Sequence, residues 1–183
     1  MKLQATLSQK SINKLIGDLK RYNVSLQTKT DEFLNRLIDA GIRVAEQNKG
    51  FYGGYIVFEK EIRNGARKSV GFLIGRNSGD LTSYWNFYGK IKSAKISPIL
   101  FAEFGSGWLS EVLFDDVPLS EVGQGTFPGQ THAFDAGGWS YKGLNGEWYH
   151  SKGFKPSHPM YKAELELYDQ IVSIAREVFN SGI

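Results

Sequence analysis

A chain of 183 residues with 41% hydrophobic and 22% charged side chains has enough apolar material to bury a core, and that balance excludes an intrinsically disordered polymer. It contains no cysteine, so neither a disulfide framework nor a thiolate metal site is open to it. No run approaches the ~18 apolar residues of a membrane span, and the opening Met-Lys-Leu-Gln-Ala-Thr lacks the apolar centre of a signal peptide. The expectation is a soluble protein made in the cytoplasm, with one domain over residues 1–183.

The net charge of +3 is unevenly placed. Residues 1–76 carry 14 Lys/Arg against 7 Asp/Glu, residues 77–150 carry 4 against 8, and residues 151–183 carry 4 against 4. From Ile96 to Tyr141 there is no Lys or Arg at all. A chain with a basic part and an acidic part can pair with copies of itself head to tail. Uneven surface charge without any partner is the alternative. The basic excess is spread along helices and lacks a Lys/Arg cluster, so it does not point to nucleic acid.

In chain order, Ile12, Leu15, Ile16, Leu19 and Tyr22 recur at helical spacing and predict a first helix over residues 8–22, with Ser8 or Ser11 as its cap. Residues 23–28 break the pattern. A second helix is expected from Thr30, whose hydroxyl suits an N-cap, with Phe33, Leu34, Leu37, Ile38, Gly41, Ile42 and Ala45 on its apolar stripe. Gly41 on that stripe either admits another element closely or is a tolerated glycine. Lys49–Gly54 ends the helical part. Tyr55–Arg63 and Ser69–Arg76 read as strands joined at Asn64-Gly65, a strong hairpin signal. Residues 81–92, with Tyr84, Trp85, Phe87 and Tyr88, fit a third strand or a loop packed on the sheet.

Ile99-Leu-Phe-Ala-Glu-Phe104 is an apolar run holding one acid, Glu103, and it stops at Gly105-Ser106-Gly107. Such a run is too short and apolar for a solvated loop, and the glycines end it sharply. It marks the hinge between a packed core and a long irregular segment, 108–136, of a length that is usually functional or mobile. Trp139–Tyr141 and Trp148–His150 flank Gly143-Leu144-Asn145 as a further hairpin. Lys152–Pro156 is a turn. Ser157 or His158 then caps a last helix that has Pro159 in its first turn, buries Met160, Ala163, Leu167, Ile171, Ile174, Ala175 and Val178, and runs to about Asn180. Helices at both ends and strands between them predict an α+β fold, a small antiparallel sheet packed against N-terminal helices and a long C-terminal helix.

The residues of catalysis are sparse. His132, His150 and His158 are not at metal-ligand spacing, and there is no P-loop, dinucleotide fingerprint or nucleophile elbow. Glu103 is the acid of interest, because burial in an apolar run can raise a carboxyl pKa. A catalytic role needs a partner acid, and nothing in the spacing selects among Asp115, Asp116 and Asp135. The plainer reading is that Glu103 accepts hydrogen bonds from nearby backbone N–H groups or pairs with a basic side chain. Trp108, Trp139, Trp148 and the tyrosines beside them suit a small core, a protein interface or a sugar-stacking platform, in that order.

Phe101-Ala-Glu-Phe-Gly-Ser-Gly107, Gly138-Trp-Ser-Tyr141, Gly146-Glu-Trp148 and Lys152-Gly-Phe-Lys-Pro-Ser-His-Pro-Met-Tyr161 together resemble the tail-completion, or tail-to-head joining, proteins in the neck of long-tailed double-stranded DNA phages. Ile174–Phe179 is similar to the family's ending. The sequence departs from the family pattern in having Ser106 for a usual Thr, no Phe between Pro159 and Met160, and a segment 108–136 without an obvious counterpart. The resemblance implies a structural virion protein without catalysis or cofactor, made in the host cytoplasm and built into the tail. It implies a homo-oligomeric ring, a hexamer in the family, between the major tail tube protein and a head-closure or connector protein. Viral DNA would pass through that ring without specific binding, and no membrane is involved. Glu103, Phe104, Gly105, Gly107, Trp108, Trp139, Trp148 and Pro159 become structural or interface positions. A basic first half and an acidic middle could supply the two unlike surfaces of a ring, and 108–136 could order on assembly. The alternative, from another class, is a cell-wall-active hydrolase or sugar-binding module using Glu103 and the Trp/Tyr cluster.

Overall fold

The first element is a single helix, α1, Gln9–Gln47, of 39 residues, about 58 Å long at 1.5 Å per residue. It begins where the Ser8 hydroxyl accepts from the Ser11 N–H at 3.2 Å. The two helices expected from the sequence are therefore one. Residues 23–28 contain neither Gly nor Pro, and Leu26 continues the stripe one turn after Tyr22. Thr30 is not a cap: its hydroxyl donates back to Leu26 O at 2.9 Å, and Thr28 donates to Val24 O at 3.0 Å. Back-bonding of this kind lets polar side chains sit inside a helix.

The computed structural model describes residues 8–65, 68–79, 81–109 and 135–180, without the side chains of Trp85, Phe87 and Ala94. Most of the segment 108–136, with Asp115, Asp116 and His132, lies outside the described residues. After a 3-10 turn at Gly50–Tyr55 come β1, Ile56–Asn64, and β2, Ser69–Asn77, paired antiparallel from Ile56↔Asn77 to Asn64↔Ser69. This is the hairpin signalled by Asn64-Gly65. The undecided stretch 81–92 is a second hairpin, β3, Leu81–Phe87, and β4, Lys90–Ile96. Tyr88 and Gly89 both take positive φ at its tip, the geometry of a two-residue I′ turn. Helix α2, Pro98–Phe104, is the apolar run. Strands β5, Trp139–Lys142, and β6, Trp148–Ser151, form the third hairpin, and α3, Pro159–Asn180, closes the described chain.

The fold is α+β, and among the described residues all strand pairing is antiparallel. There, two sheets stand where one was expected: β1–β2, and a four-stranded sheet ordered β4-β3-β5-β6 in which β3 meets β5 at Asn86↔Lys142. The β1–β2 hairpin packs on α1, and α3 runs antiparallel to α1, with Lys162 near Asn48 and Phe179 near Phe33. The core lies where they meet: Ala45, Ile56, Phe58, Ala102 and Ala163, with Ile42, Leu73, Ile99 and Met160 against them. Gly41 is a point of close approach. A Cβ there would sit 2.8 Å from Leu73 Cδ1 and 2.9 Å from Leu167 Cδ2. On α3, Ala163, Ile174 and Val178 are buried as expected, whereas Ile171 is exposed.

Candidate functional site

Helix α2 is short, and both of its ends are tied to distant chain. At its start, Asn77 at the end of β2 accepts from the Ile99 N–H through Oδ1 at 3.0 Å and donates to Ser97 Oγ at 3.1 Å. At its end, two consecutive residues receive the entrance of α3. Ala102 O accepts from the N–H groups of Ser157 at 2.8 Å and His158 at 3.0 Å. Glu103 accepts from Met160 N–H through Oε2 at 2.8 Å and from Tyr161 N–H through Oε1 at 2.9 Å. Pro159 between them has no N–H to satisfy. Every backbone donor from Ser157 to Tyr161 thus has an acceptor before α3 makes its own first bond, Lys162 N–H to His158 O. The helix is capped neither by Ser157, whose hydroxyl donates to Ala102 O, nor by its own first turn, but by an acid 57 residues upstream.

Glu103 is 8% exposed. Its charge is met by two N–H donors and by the positive end of the α3 dipole. Both oxygens are held by main chain, the arrangement of a structural clamp. The plainer reading of Glu103 from sequence is what the geometry has. The glycines around it are spacers for backbone contact. Ser106 and Phe154 exchange N–H···O bonds of 3.0 and 3.2 Å. Gly153, at φ +88°, would put a Cβ 1.8 Å from Ser106 O, and Gly105, at φ +73°, one 2.6 Å from Phe154 O. Behind this lattice, Phe101, Tyr52 and Phe154 pack ring against ring at 5.4–5.8 Å. Burial raises the Tyr52 phenol above its usual 10.0.

The other candidate positions divide. Gly107, Trp139 and Pro159 are buried and Phe104 is half-buried, while Trp108 and Trp148 are 53% and 72% exposed. Trp139 and Trp148 differ in strand parity across the register Trp139↔Ser151, Lys142↔Trp148, so they lie on opposite faces of the hairpin and do not form one platform. Tyr141 and Tyr149 stack at 5.7 Å. An open, mainly apolar groove of about 460 Å³ lies between β2 and the start of α3, lined by Phe72, Phe104, Tyr161 and Leu167 together with Glu103 and Glu164. Among the described residues no three His, Asp or Glu side chains gather as a metal site, and no helix is long and apolar enough to cross a membrane.

Two pairings were not foreseen. Ser140 Oγ lies 3.1 Å from His150 Nδ1, and His150 Nε2 lies 2.8 Å from Gly137 O. With the Nε2 proton on the carbonyl, Nδ1 accepts from the hydroxyl. The pair is exposed and directly cross-strand, so it pins Gly137 against the hairpin. Its signal was legible, since Ser140 and His150 are equidistant from the centre of the Gly143–Glu147 turn. The Asn77 cap had no such signal, because it depends on where β2 ends relative to α2. No family model matches the chain, and neither a curated protein nor a solved structure matches it.

Proposed function

We propose that this protein is a structural component of a phage neck, a tail-completion subunit that works by surface match and performs no covalent chemistry. The observation that carries the reading is the Glu103 clamp. The sequence blocks that resemble the family are far apart in the chain, yet the first and the last are one interlocked unit, residues 102–107 against 153–161. The two blocks between them fall on the hairpin that leads into it. A motif acid with both oxygens on helix N–H groups is consistent with a signature kept for architecture. The subunit would form a ring at the top of the tail tube, contacting the tube protein below and a head-closure or connector protein above, while DNA passes through. The test is deletion of the gene from its phage, followed by electron microscopy of lysates. Filled heads beside separate, finished tails are expected. Normally joined particles would overturn the reading, as would turnover of a cell-wall glycan by the purified chain that Glu103→Gln abolishes without loss of stability.

A further inference from the structure

The fold gathers lysines that the chain keeps apart. Of the eight acids in residues 77–150, six run from Glu103 to Asp135. The four-stranded sheet is built from the stretches on either side of them. Leu81–Ile96 and Trp139–Lys155 hold Lys90, Lys92, Lys95, Lys142, Lys152 and Lys155, all exposed, against Glu147 alone. Counting Asp80 and Asp135, which adjoin these stretches in sequence, the balance is still six Lys to three acids. The middle of the chain is acidic by count, yet the sheet within it is basic.

Strand parity sorts these side chains by face. Along β3 and β4, Tyr84, Asn86, Ile91 and Lys95 share one face. The bridge Asn86↔Lys142 puts Lys142 on it, with Trp148 opposite Lys142 and His150 opposite Ser140. One row thus crosses all four strands: Ile91, Asn86, Lys142, Trp148. Tyr84, Ile91 and Trp148 are 56%, 70% and 72% exposed, and Lys95, Lys142 and His150 are exposed with them. No strand residue on this face is acidic. Glu147 is turned to the other side, where it accepts from the Tyr149 hydroxyl at 3.2 Å, and Lys90 and Lys92 lie on that side too. On the edge strand β4, lysine guards against stray pairing. That does not account for Lys142, because β5 is an interior strand. Among the described residues no acid lies within 4.0 Å of the Lys142 ammonium.

We propose that this face binds single-stranded nucleic acid without sequence preference, with bases stacked on Trp148 and Tyr84 and phosphates against Lys142 and Lys95. Exposed flat rings beside ammonium groups, with no carboxylate among them, complement a polymer that alternates flat bases with phosphates. A duplex fits less well. Its bases already stack on one another, so it would engage the lysines alone. A neutral glycan would engage the rings alone. Tyr84 and Trp148 stand two strands and one pleat repeat apart, about 12 Å, so a single base cannot reach both and binding grows with strand length. This binding is independent of the function proposed above.

The test titrates the full chain into a fluorescent oligothymidylate of about twenty nucleotides, longer than the ~4–16 nucleotides such a sheet covers, and follows anisotropy at about 50 mM salt. The same-length duplex, heparin and a neutral chitin oligosaccharide are the comparisons. The single strand is expected to bind more tightly than all three. Trp148→Ala, at a 72% exposed site, should weaken it about tenfold or more with circular dichroism unchanged. Lys142→Gln should weaken it and lower the slope of log affinity against log salt by about 0.7, the share of one phosphate contact. Lys20→Gln, a charge removed from α1, should change neither. Affinity that Trp148→Ala leaves unaltered would overturn the proposal, as would duplex or heparin bound as tightly as the single strand. So would absence of oligonucleotide binding, whether or not Trp148 holds the chitin oligosaccharide. Oligonucleotide binding as expected with joined particles in the gene deletion would leave this face standing and remove the neck.

Discussion

Replacing Glu103 by Gln tests the clamp with almost no change of shape. The amide oxygen still accepts from one of the Met160 and Tyr161 N–H groups, but the NH₂ now faces the other donor. One charge-assisted hydrogen bond is lost, a class of bond contributing ~1.5–3 kcal/mol, and one backbone N–H at an 8% exposed site is left without an acceptor, at ~1–3 kcal/mol. Loss of the charge at the α3 N-terminus adds ~0.3–1 kcal/mol. These terms overlap, and we expect a net destabilisation of about 2–4 kcal/mol, a large share of the ~5–15 kcal/mol of a typical domain. Glu103→Ala orphans both donors and leaves a void, and should cost about 3–5 kcal/mol. The assay is urea unfolding followed by circular dichroism. With a slope near 2 kcal/mol/M, the Gln variant should unfold about 1–2 M earlier. A midpoint within about 0.3 M of the parent for both variants, at equal slope, would refute the reasoning. It would also reopen the reading in which Glu103 serves a reaction rather than the fold.

Gly153→Ala should cost about 3 kcal/mol, because φ +88° is strained for alanine and the new Cβ meets a backbone oxygen that cannot turn aside; the thermal midpoint reads this directly. Trp139→Ala should cost about 3–5 kcal/mol and Trp148→Ala less than about 0.5 kcal/mol, as one ring is buried and the other exposed. Equal losses in denaturant titration would contradict the division. Tyr52 gives a pH dependence: its folded pKa lies above the unfolded value near 10.0. Its contribution is therefore complete below that pH and is lost as pH rises through the raised folded value. Tyr52→Phe should make the alkaline decline in stability shallower, measured against the parent chain at each pH.

What could be read in advance was the local part. The Asn64-Gly65 turn, the Trp139–Ser151 hairpin and the Pro159 helix start are fixed by residues within a few positions of each other. The division of α1 failed because Asn23, Ser25, Gln27 and Thr28 look like an interruption, while the hydroxyls of Thr28 and Thr30 are absorbed by carbonyls one turn back. The split into two sheets was hidden for a different reason: β3 touches β5 at one register position, and no local pattern encodes so slight a join. Glu103 shows both sides. An acid inside an apolar run announces that it has a partner, but that the partner is main chain 57 residues on depends on how α2 and α3 meet.

That meeting also sets which way α3 faces. A helix turns 100° per residue, so a slip of one position at its start would carry Tyr161, Leu165, Tyr168 and Val172 away from the surface they occupy. The clamp removes that freedom, because four donors between Ser157 and Tyr161 must meet acceptors on Ala102 and Glu103 and only one register allows it. Asn77 fixes α2 in the same manner from the end of β2, so the outer face of α3 is referenced through two caps to the β1–β2 sheet. Loss of the clamp should then both lower stability and loosen the orientation of α3, whereas Leu19→Glu, at an exposed position on α1, should do neither. Measuring urea unfolding and the hydrogen exchange of the α3 amides on Glu103→Gln and Leu19→Glu separates the two effects. If Glu103→Gln lost stability but protected the α3 amides as well as the parent chain does under folding conditions, the orientation of α3 would have to be set by its core face rather than by its cap.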